Sequence, residues 1–291
     1  MKIFHHNDND GLCAAYLVLT YAVTKDEDIG LYEMDYDKRF PLSEIKKDEE
    51  VYIVDFSISP DEMESLLEIT ENVIWIDHHE TAIKKYRDFG SEIRGIRYNG
   101  VAGCMLTYCY LVHMTENGHG DIETFNENMM DDAPTFVKYI ADWDVWKFEY
   151  GDKTKQFQIA FTTLYNRSPK SAIWYYMHIN EEQVEEIIEQ GAAMIAYRDA
   201  FAKTYCDSYG FECMLGEYKC FAINIGMVGS EWFGSVDADK YDAFVGFSWN
   251  GSKWKYSLRS EKVNVADIAM LYGGGGHAGA AGFSSDKLLL K

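Results

Sequence analysis

Residues 51–79 read VYIVDFSISPDEMESLLEITENVIWIDHH. Two short apolar runs, 51–55 and 73–77, flank the amphipathic segment Pro60–Ile69. A strand–helix–strand rhythm of this kind builds a parallel sheet. Each run ends in an aspartate, Asp55 or Asp77, and His78-His79 follows the second directly. Two buried strands therefore deliver carboxylates to one edge of a sheet, the edge where ligands gather in open α/β folds.

Upstream, the runs 2–5 and 11–23 extend the same alternation, and between them lies His6-Asn7-Asp8-Asn9-Asp10-Gly11. If this segment is extended, His6, Asp8 and Asp10 share one face. An imidazole with carboxylates suits a borderline to hard divalent ion such as manganese or zinc, and the lack of cysteine argues against a structural zinc site. The plain alternative is an Asp-rich turn capping a helix that begins near Gly11. A single strand-end aspartate is most often a cap as well. Two such strands with His78-His79 after the second favour a metal centre.

Downstream, 101–177 is mostly helical in its apolar spacing, and 133–141 leads into Ala141-Asp142-Trp143-Asp144-Val145-Trp146. The stretch 180–205 reads as one long connecting helix that Asn180 can cap. Beyond it, 211–215, 220–225, 243–249 and 254–258 alternate like strands of a smaller α+β domain. The expected division is 1–179, 180–205 and 206–291, with the boundary inside the long helix. Four glycines, 273–276, precede His277. Glycine permits positive φ and close approach, so this run can offer backbone N–H groups to a phosphate, although a glycine run is ordinarily a flexible turn.

The 291 residues are 47% hydrophobic and 15% aromatic, which gives material for buried cores and argues against disorder. The balance of 48 acidic against 27 basic residues, a net charge of −21, repels long polyanions. Long nucleic acid is thereby disfavoured, whereas a short piece neutralised by metal ions is not. Cys13, Cys104, Cys109, Cys206, Cys213 and Cys220 form no CxxC pair and read as reduced packing residues. With no leader-like start and no apolar run of about 18 residues, the expectation is a soluble, cytoplasmic protein. His113, His119 and His178 have no ligand spacing and read as surface or packing residues. The acidic stretches 121–132 and 181–189 read as solvated faces.

Taken in order, His-x-Asp-x-Asp-Gly, a strand-end Asp, Asp-His-His and a later helical Asp resemble the DHH phosphoesterase superfamily. Gly274-Gly275-Gly276-His277 followed by Ala280-Ala281-Gly282 is similar to the signature of its C-terminal DHH-associated domain. The resemblance implies an α/β fold: an N-terminal parallel-sheet DHH domain joined by a long helix to a smaller α+β DHH-associated domain. It implies two divalent ions, usually Mn2+, with Mg2+ or Co2+ as alternatives. His6, Asp8 and Asp55 would hold one ion, and Asp10, Asp55, His78 and Asp142 the other, with Asp55 bridging. Asp77 would support His78 from behind and fix its tautomer, and His79 would face the scissile phosphate. His5 reads as a packing residue behind His6. Asp144 competes with Asp142, which is favoured. Arg259, within Ser257-Leu258-Arg259-Ser260, resembles the family's basic phosphate contact, and with Gly274, Gly275, Gly276 and His277 it makes up the substrate-binding set.

The reaction so implied is a two-metal phosphodiester hydrolysis in which a metal-bridging water attacks in line. The spacing of the first motif resembles the nano-RNase and oligoribonuclease-like exonuclease branches, so the expected substrates are short RNA or linear dinucleotides released as nucleoside monophosphates. The alternatives are a phosphatase or pyrophosphatase acting on a small metabolite, a single-strand-specific exonuclease, and a catalytically silent nucleotide-binding module. No membrane partner is expected, and a homodimer is admissible.

Overall fold

The computed structural model describes residues 1–22, 28–114 and 125–291. Val23, His119 and positions 121–124 of the acidic run lie outside the described residues. Two compact units, Met1–Ala192 and Ala193–Lys291, divide the chain within one long helix.

The first unit is built on four parallel strands, β1 (Lys2–His6), β2 (Gly30–Met34), β3 (Val51–Val54) and β4 (Val73–Ile76), in the order β2-β1-β3-β4. β3 and β4 are buried at every position, as strands covered on both faces must be. Helix α1 (Asn9–Tyr21) follows β1, and α2 (Pro60–Ile69) connects β3 to β4. α2 starts where it does because Ser59 and Glu62 form a reciprocal capping box ahead of Pro60, and it turns Met63 and Leu66 into the core beside Phe4, Ile53 and Trp75. β2 and β3 flank β1 on opposite sides, so the winding reverses there and opens a crevice at the carboxyl ends of β1 and β3.

The remaining helices of this unit are α3 (Glu80–Lys85), α4 (Gly103–Cys109), α5 (Thr135–Asp144), α6 (Asp152–Leu164) and α7 (Ala172–Ile179), with α8 (Glu181–Tyr209) running into the second unit. α4 continues into a π-helical turn at Tyr110–Met114. α4 and α5 pack on α1. The Asn180 side chain accepts the Glu182 N–H at 3.1 Å at the start of α8. Among the described residues, no helix is long and apolar enough to cross a membrane.

The second unit holds a six-stranded sheet in the order β5-β6-β7-β8-β10-β9. Its strands are β5 (Phe211–Leu215), β6 (Tyr218–Ile223), β7 (Ala243–Trp249), β8 (Trp254–Arg259), β9 (Gly275–His277) and β10 (Ala280–Ser285). β6 and β7 pair parallel and the other neighbours antiparallel. Helix α9 (Val265–Leu271) buries Val265, Ile268 and Ala269 against Leu215, Val245, Leu258 and Phe283.

The glycine run is spent differently from the expected phosphate loop. Gly273, at φ +77°, is the left-handed residue that ends α9: its N–H donates to Met270 O at 3.0 Å and the Gly274 N–H donates to Ala269 O at 2.9 Å, a Schellman close. A Cβ on Gly274 would collide with the Gly282 carbonyl oxygen, so this glycine permits close packing on β10. Two of the four N–H groups are therefore already taken, and Gly275 and Gly276 belong to β9.

Candidate metal centre

Strands β1, β3 and β4 each release a ligand-type side chain at their carboxyl ends. β1 ends at His6, and the chain then turns directly into α1 instead of staying extended. Asp8 serves as the N-cap of α1: one carboxylate oxygen accepts the Gly11 N–H at 2.9 Å, while the other lies 2.7 Å from His6 Nδ1. The capping reading and the ligand reading of this motif thus both describe the same side chain. Burial raises the Asp8 carboxyl, but the His6 and Gly11 hydrogen bonds outweigh it and hold it at about 2. His6 is raised by its bond to Asp8.

Asp10 sits in the first turn of α1, buried, and accepts the backbone N–H groups of Gly103 and Cys104, each at 2.7 Å. Those donors are the start of α4, which comes this close because residue 103 has no side chain. A Cβ there would lie 2.7 Å from Asp55 Cβ and 3.1 Å from Asp10 Oδ2. Gly103 was not singled out from sequence, because nothing local in Val101-Ala102-Gly103-Cys104 announces what it must pack against.

Asp55 follows β3 at φ 50°, in the left-handed region, and is 1% exposed. Among the described residues, neither of its carboxylate oxygens accepts a hydrogen bond. Burial, then the charges of Asp10 and Asp8, push its carboxyl well above the usual range. His78 Nε2 stands 3.2 Å from Asp55, 3.6 Å from Asp10 and 3.4 Å from Asp144, and His6 Nδ1 stands 3.9 Å from Asp55. Burial, followed by Asp10 and Asp8, raises Asp144 to about 9. Among the described residues, three donor sets have ligand atoms within 4.8 Å of one another: His6 with Asp8 and Asp55, Asp10 with His78 and Asp144, and Asp55 with His78 and His79. A buried carboxylate with no donor, ringed by acids, is costly unless positive charge neutralises it. The oxygen-and-imidazole set fits a divalent cation.

Three expectations are corrected by this geometry. First, the segment from His6 to Asp10 gathers its side chains through a strand–cap–helix turn, not along one face of an extended strand. Second, the Asp77 carboxylate holds His79 and not the His78 ring. Its Oδ1 lies 2.7 Å from His79 Nδ1 and accepts the backbone N–H groups of His78 at 2.8 Å and His79 at 3.2 Å. That bond to Asp77 raises the His79 imidazole. Third, Asp142 is not in the cluster. Its carboxylate accepts the N–H groups of Glu149 at 2.8 Å and Tyr150 at 3.3 Å and a short hydrogen bond from the Thr154 hydroxyl. Two residues along a helix turn a side chain through about 200°, so only one of Asp142 and Asp144 can face His78, and it is Asp144.

The last point yields a paired test. Asp142→Ala strands the buried Thr154 hydroxyl and the loop N–H groups, and is expected to cost roughly 2–4 kcal/mol of stability. Asp144→Ala should leave the metal-free Tm unchanged or higher and abolish the Tm rise produced by Mn2+. Thermal denaturation of both variants with and without Mn2+ checks this, and exchanged behaviours would reverse the two assignments.

Around the centre, His5 is buried with its Nδ1 2.9 Å from His6 O, a packing residue lowered by burial. His178 pairs with the hydroxyls of Tyr16 and Tyr21 at 3.0 and 3.1 Å. His113 stacks edge-on to Tyr108. Tyr36, unremarked in the sequence, places its ring 5.9 Å from His6 and 6.2 Å from His79. Burial of the phenol, with the Asp77 charge, pushes it up to about 12, so it stays a hydrogen-bond donor.

In the second unit, Arg259 ends β8 and lines a cavity of about 510 Å³ with Phe233, Phe244, Ser260, Lys262 and Gly279. Arg259 Nη1 donates to Leu258 O at 2.8 Å, while Lys262 is engaged by the carbonyls of Ala238 and Tyr241. Gly275, Gly276 and His277 are exposed on β9.

No family model matches the chain. Over 314 aligned residues it is 22% identical to the uncharacterized protein R106 of Acanthamoeba polyphaga mimivirus, an alignment that takes in 97% of this chain and 66% of that protein. The chain thus spans just under two thirds of that relative's length. Among solved structures, the pGpG-specific phosphodiesterase PggH of Vibrio cholerae superposes with a TM-score of 0.55 at 11% identity, over 98% of this chain and 92% of that one. RecJ from Thermus thermophilus in complex with Mn2+ aligns with a TM-score of 0.44 at 13% identity, over 98% of this chain and 49% of that one. The likeness to PggH is one of fold.

Proposed function

We propose that this chain, whose fold is that of the DHH phosphoesterases, is a metal-dependent phosphoester hydrolase acting on short RNA or linear dinucleotides. The observation that carries the reading is the buried Asp55 carboxylate, which accepts no hydrogen bond among the described residues, at the centre of His6, Asp8, Asp10, His78 and Asp144. These six residues would hold one or two divalent ions, with Asp55 shared. Ions bound there would supply positive charge to the reacting phosphoryl group and bring the activation of water into the neutral pH range.

The protein's own groups supply the rest. Asp77 fixes the His79 ring through Nδ1, which leaves Nε2 for a phosphoryl or leaving oxygen. Because that contact favours imidazolium, His79 can give a proton to the departing oxygen. Tyr36, kept protonated beside it, can donate to a phosphoryl oxygen. In the second unit, Arg259 is a cation of its cavity with N–H groups to spare for a phosphate. Support for a dinucleotide comes from PggH, a phosphodiesterase specific for pGpG. The net charge of −21 supports a short substrate over a long strand.

Assaying the protein with Mn2+ on linear diadenylate, a five-nucleotide RNA, long single-stranded DNA and pyrophosphate tests the reading. Turnover is expected on the first two. Consumption of pyrophosphate alone would assign the centre to a pyrophosphatase. Arg259→Ala is expected to raise KM about 10-fold or more, the loss of a charge-assisted contact, with kcat little changed. An unchanged KM with a collapsed kcat would contradict that role.

A further inference from the structure

The segment that follows Asp144 adopts an unfavourable backbone in order to expose an aromatic ring. Trp146 at φ 54° and Phe148 at φ 53° both occupy the left-handed region. Bulky residues rarely do so, and the conformation persists only where surrounding contacts hold it. Asp142 supplies those contacts: its carboxylate ties down the N–H groups of Glu149 and Tyr150, and its carbonyl accepts the Lys147 N–H at 3.2 Å. Three rings are gathered as a result. Trp143 and Trp146 stand 5.4 Å apart, Trp146 and Phe148 5.3 Å, and Trp143 and Phe148 5.8 Å. Trp146 is nevertheless 69% exposed. Packing of the core does not account for a strained indole held out in water.

Position supplies the account. Trp146 is two residues from Asp144, so their Cα atoms lie within about 7 Å of each other. The Asp144 carboxylate stands 3.4 Å from His78 Nε2 in the candidate metal centre. In a strongly acidic chain the cluster is also attended by cations: Lys155 Nζ lies 5.3 Å from the Phe148 ring centre, and Lys147 is part of the segment itself. We propose that Trp143, Trp146 and Phe148 form a stacking platform for the nucleobase next to the scissile phosphate. A base lies one sugar away from its phosphate, which suits a platform beside the centre and not within it. Stacking on an aromatic face accepts any base, so the platform selects nucleotides over pyrophosphate without selecting a sequence. The inference rests on the phosphoester-hydrolase reading for the identity of the neighbouring centre.

Binding can be separated from catalysis by titrating adenosine 5′-monophosphate and ribose 5-phosphate into the Mn2+-loaded full chain by calorimetry. The wild type is expected to prefer the nucleotide by about 10-fold or more, the worth of one stacked base. Trp146→Gly removes the ring and relieves the positive φ, so loss of folding is not its expected effect. It should bring the preference down towards unity and raise KM for diadenylate, with kcat within about two-fold. Trp146→Phe should keep most of the preference. Should Trp146→Gly retain the full preference for the nucleotide, the platform is overturned even if diadenylate is hydrolysed. Should the preference vanish on removal of the ring while no phosphoester is turned over, the platform stands and the hydrolase reading falls. A Trp146→Gly variant that loses self-association in sedimentation, with its nucleotide preference intact, would reassign the rings to an interface between copies.

Discussion

Asp55→Asn is expected to lower kcat on linear diadenylate by on the order of 1,000-fold or more and, in the same protein, to raise the Tm of the metal-free form. The two effects have one origin. Asp55 is buried, carries two donorless oxygens, and faces Asp10, Asp8 and Asp144. Without a cation its charge is a liability, and an isosteric amide removes that charge while offering a donor to the neighbouring carboxylates. With a cation the same charge is what the centre is built around, and its loss takes the shared ligand away. Steady-state assay with Mn2+ and thermal denaturation in chelator measure the two halves independently. Activity within about 10-fold of wild type would remove Asp55 from the centre. A lowered metal-free Tm would show that Asp55 has a structural role and is not held against repulsion. A merely structural aspartate would give that second result together with lost activity, so the combination of a more stable and inactive protein is diagnostic.

The parts of this centre that were readable in sequence are those in which a local rule and the tertiary outcome coincide. Val51–Val54 and Val73–Ile76 are short, apolar and rich in β-branched residues, as buried strands are, and a buried strand places the residue after it at the sheet edge, hence Asp55 and Asp77. Asp8 was legible twice over, because a strand-to-helix turn asks for a capping carboxylate in the place where a ligand is also useful. The choice between Asp142 and Asp144 was not legible, because it depends on which side of α5 faces His78 and on a hydroxyl from Thr154, one helix away. β2 carries no strand signal in sequence, since Gly30-Leu31-Tyr32-Glu33-Met34 is only partly buried and neither alternates nor forms an apolar run. In 273–276, Gly273 is required by a helix end and Gly274 and Gly276 by contact with β10, while Gly275 has open space where a side chain would go. A run of glycines does not say which of cap, packing or phosphate loop it serves.

Metal-free protein should lose stability as the pH rises from 7 to 8.5, and Mn2+ should restore it most at the upper end. The sign follows from the carboxyls. Asp144 is raised to about 9, so across this interval the native state binds a proton that the unfolded chain has already released, and Asp55, raised by burial and then by the charges of Asp10 and Asp8, shifts in the same direction. Stability that is full below pH 4 is therefore lost progressively towards pH 9. His6 and His79, raised above 6.5 by Asp8 and Asp77, act in the same direction as they deprotonate. His5 and His178, lowered by burial, act oppositely, but their effect lies below pH 6.5. The 2 of Asp8 confines its contribution to the acid limb, below pH 4. A divalent cation binds the deprotonated ligands and only the folded arrangement, so its stabilisation of RT ln(1 + [L]/Kd) grows with pH, reaching about 2.7 kcal/mol at 100 times Kd. Denaturation scans at pH 7 and 8.5, in chelator and in Mn2+, measure both slopes. Asp144→Asn should flatten the metal-free slope by removing one of the two raised carboxyls. A metal-free Tm that holds steady or climbs over this interval would mean that the acids around His78 are already neutralised by the protein itself, and the cluster would then have no need of a cation.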